Sequence, residues 1–235
     1  MSPLTLLSDT PLPEFPDPNN APREGLLAVG GALRVEWLQA AYSRGIFPWY
    51  SEGEPIMWWS PDPRAILYPD QIRISRSLGK CLQQNRFKIT LDTQFTSVIR
   101  ACARPRPSGG DPATWITAAM EEAYSELHHA GIAHSVEVWL EGNLVGGLYG
   151  VSVGSVFCGE SMFSQVSNAS KVALVLLCRL LSEWGYQFID CQLPTAHLIS
   201  LGAVSVSRSH FLAALKAAGS TPPAERSWSS LGEIS

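Results

Sequence analysis

The stretch that decides the fold is SVFCGESMFSQVSNASKVALVLLCRLLSEWGYQFIDCQ, residues 155–192. Its first part, Ser155 to Gly159, is short and apolar, as a buried strand is. The run from Lys171 to Trp184 has the length and apolar content of a helix, and Gly185 can end that helix in a left-handed residue. Tyr186 to Asp190 follows as a second buried strand. The stretch therefore predicts a strand, a helix and a second strand that is parallel to the first.

The segments on either side extend this pattern. Alternating apolar residues at 135–140 and 144–151, separated by Glu141-Gly142-Asn143, predict a hairpin before the stretch. A helix near Phe211 to Ala218 is predicted after it, and Asn168 or Ser170 can cap the helix inside it. The order of hairpin, strand, helix, strand and helix is typical of an acetyltransferase (GNAT-type) fold. The predicted fold class is therefore α+β (mixed α/β), with a GNAT-type large domain and a small N-terminal domain.

The first part of the chain has a different character. Residues 11–23 combine prolines, asparagines and acids without periodicity, which predicts an extended segment. A helix is predicted from Arg34, ending at Gly45. We place the domain boundary near Asp62, which gives a small N-terminal domain, 1–62, and a catalytic domain, 63–235. Further elements are predicted in the middle of the chain: a strand at 64–68, a helix after Ser75, a strand at 87–91, a helix at 95–103, a Pro/Gly-rich loop from Arg104 to Pro112 and a helix capped by Thr117.

Composition narrows the function classes. The net charge of -4 gives no global reason to expect nucleic acid, so binding to RNA would need a local basic patch. The five cysteines form no C-x-x-C pair and the histidines lack ligand spacing, so we predict reduced thiols and no metal. The N-terminus does not resemble a signal peptide, and no segment is long and apolar enough to span a bilayer. These features predict a soluble, cytoplasmic protein.

Two acids stand in apolar surroundings, Glu160 and Asp190. Burying an unpaired carboxylate costs several kcal/mol, so each is either a hydrogen-bonded structural acid or part of a polar pocket. In a GNAT-type fold the ligand lies where two parallel strands splay apart. Gly159-Glu160 and Asp190-Cys191-Gln192 are expected at that point. The sequence therefore predicts a site in the second half of the chain.

The connection between the first strand and the helix argues against coenzyme A. Acetyltransferases of this fold carry a glycine-rich loop there, whose N–H groups bind the pyrophosphate. Residues 161–170, SMFSQVSNAS, contain no glycine. An acyl-CoA-dependent N-acetyltransferase stays the alternative function, and we predict that no cofactor is used.

At this point the chain resembles a known family, the leucyl/phenylalanyl-tRNA protein transferases. The resemblance covers most of the chain and is carried by long irregular motifs: GLLAVGG at 25–31, RGIFPW at 44–49, WWSPDPR at 58–64, TWIT at 114–117, HSVEVW at 134–139, FCGESMF at 157–163 and DCQ at 190–192. It implies a two-domain enzyme that moves Leu or Phe from an aminoacyl-tRNA to the N-terminal Arg or Lys of a protein, which marks that protein for degradation. We predict that the enzyme is a monomer.

The resemblance also implies the residues that bind the aminoacyl end of the tRNA. Trp49 and Trp115 would hold the terminal adenosine between them, since aromatic stacking is worth roughly 1–3 kcal/mol per base. Packing between the two domains is the alternative role of these tryptophans. The migrating side chain would enter an apolar pocket whose residues could otherwise be ordinary core: Leu148, Phe157, Leu174, Leu181 and Ile189. Leu181 stands where relatives often carry a larger aromatic residue. Apolar pockets discriminate weakly, so tolerance of Met is expected.

Catalysis is assigned to Asp190 and Gln192. Following the family, Gln192 would orient the attacking α-amino group, and Asp190 would polarise it or take its proton. Glu160, next to Gly159, would bind the aminoacyl amino group or the ribose. A structural role is the alternative for both acids.

A basic stretch is expected to contact the acceptor stem. Its tRNA-binding candidates are Arg76, Lys80, Arg86 and Lys88, with Arg64 and Arg73 as further members of the same stretch. A solvated surface is the alternative. A non-catalytic RNA-binding module is a further candidate function, which would bind charged and uncharged tRNA alike.

Overall fold

Two β-sheets organise the chain in a computed structural model that describes residues 4–104, 115–219, 228 and 233–234. The smaller sheet has the strand order β1-β2-β4-β3. Its strands are β1 (Thr5–Leu7), β2 (Leu26–Gly30), β3 (Phe47–Pro48) and β4 (Met57–Trp59). Helix α1 (Val35–Ser43) lies between β2 and β3, as the sequence predicts. The sequence analysis did not predict this sheet.

The larger sheet has the order β11-β5-β10-β9-β8-β7-β6-β12 within the described part of the chain. Its strands are β5 (Arg64–Leu67), β6 (Lys88–Leu91), β7 (Ala133–Leu140), β8 (Asn143–Val153), β9 (Val156–Ser164), β10 (Phe188–Gln192), β11 (Val204–Val206) and β12 (Glu233–Ile234). Strands β7 and β8 form the predicted hairpin, and β9 runs antiparallel to β8. Each strand predicted in this part of the chain is present, with shifted ends.

Six further helices lie in the described residues: α2 (Arg76–Gln83), α3 (Phe95–Cys102), α4 (Ala118–His129), α5 (Ala169–Glu183), α6 (Ala196–Ser200) and α7 (Arg208–Gly219). The hydroxyl of Thr117 accepts a hydrogen bond from the Met120 N–H at 3.2 Å, so that cap is confirmed. The cap predicted for α5 is wrong. Asn168 precedes the helix in the left-handed conformation with no side-chain cap bond, and Ser170 lies inside the helix. The predicted loop beyond Arg104 lies outside the described residues.

Strands β9 and β10 pair in parallel, as predicted, and then separate. The last parallel partners are Asp190 and Cys158. β10 is paired with β5 on its other side from Ile189 onward, and past Asp190 only this antiparallel pairing continues, with a register shift between Asp190 and Gln192. Gln192 has φ +55°, a left-handed conformation that a non-glycine residue seldom adopts. The helices and mixed sheets confirm the predicted mixed α/β fold class. The splayed parallel pair beside an antiparallel hairpin is the strand arrangement that the GNAT-type prediction requires.

One continuous apolar core connects the two sheets. Tyr42 of α1 packs among Tyr124 of α4 and Phe211 of α7 in the same buried cluster. Gly45 ends α1 at φ +71°, and a Cβ at this position would lie 2.7 Å from the Phe211 ring. Only glycine therefore allows the chain to leave α1 this close to α7. The division into domains 1–62 and 63–235 stays a prediction.

Arg208 ties the N-terminal segment to the larger sheet. Its guanidinium donates to the carbonyls of Ala21, Pro22 and Ser60 at 2.6, 3.1 and 2.6 Å. Desolvation lowers the pKa of Arg208, and the three carbonyls replace the water that this side chain has lost. The aperiodic segment at 11–23 is thereby fixed through tertiary contacts.

Candidate active site

A cavity of about 1060 Å³ opens where β9 and β10 separate. Its lining includes the end of β3 from the smaller sheet, the C-terminal part of β9, the start of α5 and the segment after β10. The cavity therefore lies at the junction of the two sheets. Gln192, predicted to be catalytic, lines it. Most of the residues predicted to bind substrate also line it: Trp49, Trp115, Leu148, Phe157, Gly159, Glu160, Leu174 and Ile189.

Leu181 does not line the cavity, which corrects the prediction from the sequence. Leu174 and Leu177 line it, and Leu181 follows on the same face of α5, fully buried in the apolar core. Because a helix rises about 1.5 Å per residue, Leu181 lies about 10 Å further along α5 than Leu174. The helix carries Leu181 past the end of the cavity.

Asp190 lies behind the cavity lining, in an ion pair with Arg64. Arg64 Nε donates to Oδ1 at 2.8 Å and Nη2 donates to Oδ2 at 2.6 Å, and both side chains are 1% exposed. Asp190 Oδ1 also accepts the backbone N–H of Gln192 at 3.0 Å. Both oxygens are thus occupied by fixed donors. Asp190 does not line the cavity, and its carboxylate holds the backbone N–H of Gln192, which does line it. The action of Asp190 on the substrate amine stays a prediction.

Arg64 belongs to the interior, which corrects its inclusion in the basic stretch. Its guanidinium lies over the rings of Phe47 and Phe211, at 4.9 and 4.4 Å from their centroids. Nη1 has no hydrogen-bond partner among the described residues. Arg64 therefore neutralises Asp190 and cannot reach a phosphate of a bound tRNA.

Glu160 is the centre of a hydrogen-bonded chain that crosses the site. Oε1 accepts from Gln192 Nε2 at 2.8 Å, and Oε2 accepts from the Tyr124 hydroxyl at 3.1 Å. Because Tyr124 gives its proton to Glu160, its oxygen accepts from the neighbouring hydroxyl of Tyr42. Desolvation raises the pKa of both tyrosines, so they remain donors. The chain links α1, α4, β9 and β10.

Burial raises the pKa of Glu160 from 4.5 to about 7. Desolvation is the largest cause, the neighbouring hydroxyls of Tyr42 and Tyr124 oppose it, and the charge of Asp190 adds to it. The side chain of Glu160 is half-buried and lines the cavity, so it is desolvated by the cavity walls but can still contact a ligand. Glu160 therefore changes its charge near neutral pH, where it can hold a cationic group or release it.

This pKa predicts how stability depends on pH. Between pH 4.5 and 7 the folded protein keeps a proton on Glu160 that the unfolded chain has lost. The free energy of unfolding therefore falls as pH rises through this range, and the stabilisation by the bound proton is gone once the pH has passed about 7. We expect the free energy of unfolding to fall by about 1–3 kcal/mol more between pH 5 and 8 in the parent protein than in Glu160→Gln. Urea unfolding of both proteins across this range measures the difference. Parallel curves would contradict the raised pKa.

The two tryptophans assigned to the tRNA end both face the cavity. Trp49 is 40% exposed, although it is a large aromatic residue. Its backbone carbonyl accepts from Trp59 Nε1 at 2.7 Å, and the two rings lie 5.5 Å apart, which fixes its loop. Trp115 is half-buried just before α4 and lines the cavity. An exposed indole on one side and a second indole in the same cavity allow a planar ligand to stack.

The predicted tRNA-binding residues lie apart from the cavity lining. Arg76 and Lys80 of α2, Arg86, and Lys88 of β6 are exposed, as is Arg73. Arg86 lies over the Phe87 ring at 4.7 Å. Their exposure is what contact with a phosphate backbone requires.

The sequence analysis missed three groups at the site. Tyr42 and Tyr124 occupy helical core positions, and nothing in their spacing distinguishes them from packing residues. Arg64 was predicted only as a member of the basic stretch. A buried carboxylate needs a partner, so the prediction of a buried Asp190 could have prompted a search for such a cation. The separation of 126 positions hides this pair from local pattern analysis.

Comparisons with known proteins find similar sequences over most of the chain. The family model described as "Leucyl/phenylalanyl-tRNA protein transferase" matches residues 66–216, and the model of the N-terminal domain of the same transferase matches residues 31–62. A leucyl/phenylalanyl-tRNA–protein transferase of Azoarcus sp. (strain BH72) is 54% identical over 94% of this chain and 94% of its own length. One from Pseudomonas aeruginosa (strain LESB58) is 54% identical, covering 94% and 97%. One from Nitrosomonas europaea is 52% identical, covering 95% and 94%.

Solved structures with lower similarity include a GCN5-related N-acetyltransferase from Kribbella flavida. It is 8% identical, with a TM-score of 0.38 over 71% of this chain and 58% of that chain.

The splayed strands, the cavity and the hydrogen-bonded chain of side chains form one site in the mixed sheet. The family-model and sequence matches cover nearly the whole chain. The chain belongs to the leucyl/phenylalanyl-tRNA protein transferase family. The predicted family and the predicted aminoacyltransferase class are confirmed. No helix within the described ranges has the length and apolar content needed to cross a membrane.

Proposed function

We propose that this enzyme transfers Leu or Phe, and tolerates Met, from aminoacyl-tRNA to the N-terminal Arg or Lys of a protein, which marks that protein for degradation. One observation carries the proposal: a single cavity combines an apolar lining with the Glu160–Gln192 pair and two indoles. An aminoacyl adenosine has the matching parts, namely an apolar side chain, a charged amino group, an ester and a base.

The migrating side chain would lie against the apolar lining. Leu148, Phe157, Leu174 and Ile189 form this part, and Leu177 of α5 belongs to it although it was not predicted. These residues offer no hydrogen-bonding side chain to a ligand. They therefore favour Leu, Phe or Met over polar side chains, while the difference between apolar side chains stays within roughly 1–3 kcal/mol per methylene.

Gln192 is the residue that would orient the attacking amine. Because its amide N–H₂ donates to the Glu160 carboxylate, its carbonyl oxygen is left to accept a hydrogen bond. That oxygen can accept from the neutral α-amino group of the acceptor and direct the nitrogen lone pair at the ester carbon. Asp190 supports this arrangement through the Gln192 N–H, as a positioning residue.

The reaction needs alignment more than activation, since the aminoacyl ester is already reactive. The acceptor nitrogen bonds to the ester carbon, and the bond from that carbon to the ribose oxygen breaks. The proton lost by the nitrogen passes to the ribose oxygen, which leaves as a hydroxyl. Glu160 would hold the amino group of the migrating residue or the ribose. The α-amine of the acceptor has a pKa of about 7.7–8.0, so a useful fraction is neutral at physiological pH.

The test uses leucyl-tRNA and phenylalanyl-tRNA with radiolabelled amino acids and two peptides that differ only in an N-terminal Arg or Ala. Label is expected on the Arg peptide and not on the Ala peptide. Transfer to both peptides would contradict the acceptor specificity, and transfer to neither would contradict the proposed reaction. A chain that binds charged and uncharged tRNA equally without transfer would be an RNA-binding module. Tight binding of coenzyme A in calorimetry would favour the N-acetyltransferase alternative.

The remaining predictions concern the molecule as a whole. The monomeric state, the cytoplasmic location and the absence of a cofactor and of a metal stay predictions. So does the contact of the exposed basic residues of α2 and β6 with the acceptor stem.

A further inference from the structure

Trp228 is buried far along the chain from the site, beyond the last residue of α7. Its side chain is 5% exposed and belongs to the apolar core on the α5 side of the large sheet. The indole stacks on the His134 ring at 4.3 Å with 6° between the planes, and it meets Trp184 edge-on at 5.2 Å. Its Nε1–H donates to the Tyr186 hydroxyl at 3.4 Å. The ring is therefore fixed from several directions.

The His134 ring is itself held in place. Its Nδ1 lies 2.7 Å from Asp92 Oδ2, and the other oxygen of Asp92 accepts the Ser135 N–H at 2.7 Å. Asp92 follows β6 in the left-handed conformation, with φ +54°, and its carboxylate bonds to residues at the start of β7. The surface against which Trp228 stacks is thus a hydrogen-bonded imidazole with a single orientation.

Trp228 also contacts a residue of the cavity. Its ring lies 5.5 Å from the ring of Phe157, with 26° between the planes, and Phe157 lines the apolar part of the cavity. A Cβ at Gly150 of β8 would lie 2.5 Å from the Phe157 ring. Phe157 therefore lies between the backbone of β8 and the indole of Trp228. Its ring cannot move away from the cavity while the indole fills the space next to it.

We propose that Trp228 is a positioning residue for specificity: by supporting Phe157 it limits the size of the cavity available to the migrating side chain. The inference rests on the proposed function. A smaller residue at 228 would let the Phe157 ring move into the vacated volume and enlarge the apolar part of the cavity. The enlarged cavity would favour a phenylalanyl group over a leucyl group, because apolar pockets select by the volume that they fill.

The experiment measures kcat/KM for phenylalanyl-tRNA and for leucyl-tRNA with an Arg-starting peptide. In Trp228→Leu the ratio of the two values is expected to rise about tenfold, at the lower end of the roughly 10–200-fold that one methylene makes in an apolar pocket. Trp228→Phe, which keeps a ring, is expected to show a smaller rise in the same direction. This variant decides the question if Trp228→Leu does not fold.

The control is Trp139→Leu. Trp139 is a half-buried tryptophan of β7 whose Nε1–H donates to Thr90 Oγ1, and it does not line the cavity. It should lower stability without changing the ratio. A purely structural role for Trp228 would lower kcat/KM equally for both substrates. An unchanged ratio in a folded Trp228 variant overturns the inference, whereas a parent protein that transfers neither amino acid overturns the proposed function instead.

Discussion

Replacing Asp190 with alanine is expected to lower the free energy of unfolding by about 3–5 kcal/mol, because Arg64 is left charged and unpaired in the interior. Arg64 is 1% exposed and gives two hydrogen bonds to this carboxylate. The same substitution removes the acceptor that holds the Gln192 N–H. Stability, measured by urea unfolding, and transfer activity should therefore fall together.

A double variant separates the two losses. In Arg64→Met/Asp190→Leu the buried pair is replaced by apolar side chains of similar volume, which is often neutral for stability. We expect stability near that of the parent protein, with turnover still reduced because Gln192 has lost its support. If the double variant regains full turnover, Asp190 has no part in the reaction beyond folding. If Asp190→Ala is as stable as the parent protein, Arg64 and Asp190 do not form a buried ion pair that the fold depends on.

Replacing Gln192 with alanine is expected to reduce kcat about 100-fold and to change the KM for aminoacyl-tRNA little. The amide would act on the attacking amine, and loss of a correctly placed group typically costs on the order of 10²-fold or more. Single-turnover transfer of label to an Arg-starting peptide measures the effect. The fold should be retained, since this side chain is only partly buried and bonds to Glu160 alone among the described residues.

Gln187→Ala is the matched control. Gln187 is an exposed glutamine just before β10, and its amide donates to the Gly185 carbonyl at 3.1 Å. Its replacement should leave both kcat and KM unchanged. A Gln192 variant that behaves like this control would remove the orienting role from the mechanism.

The sequence predicts the large sheet well because its signals are local. Period-two patterns mark β7 and β8, a run of apolar residues marks α5, and Gly185 marks the end of that helix with φ +80°. The parallel pairing of β9 and β10 follows from the helix between them. The same reasoning locates Glu160 and Gln192 at the point where these strands separate.

The parts that the sequence does not predict depend on distant pairing. The small sheet consists of strands of two to five residues, too short for any periodicity. The contact between the hydroxyls of Tyr42 and Tyr124 joins residues 82 positions apart. Leu181 was included in the site although it lies outside the cavity lining. The pattern correctly assigns it to the apolar face of α5 but does not indicate where along that face the cavity ends. Sequence patterns predict which face of a helix or strand is buried, whereas the residues that contact that face depend on the tertiary packing.

The three carbonyls that surround the Arg208 guanidinium limit how this enzyme could be divided. Ala21 and Pro22 come from the segment before β2 and Ser60 from the end of β4, while Arg208 opens the last long helix. In separately expressed halves the guanidinium and the three carbonyls would be exposed to water, and reassembly would have to remove that water again. A natural exchange of the N-terminal segment between relatives would have to preserve the contact with Arg208.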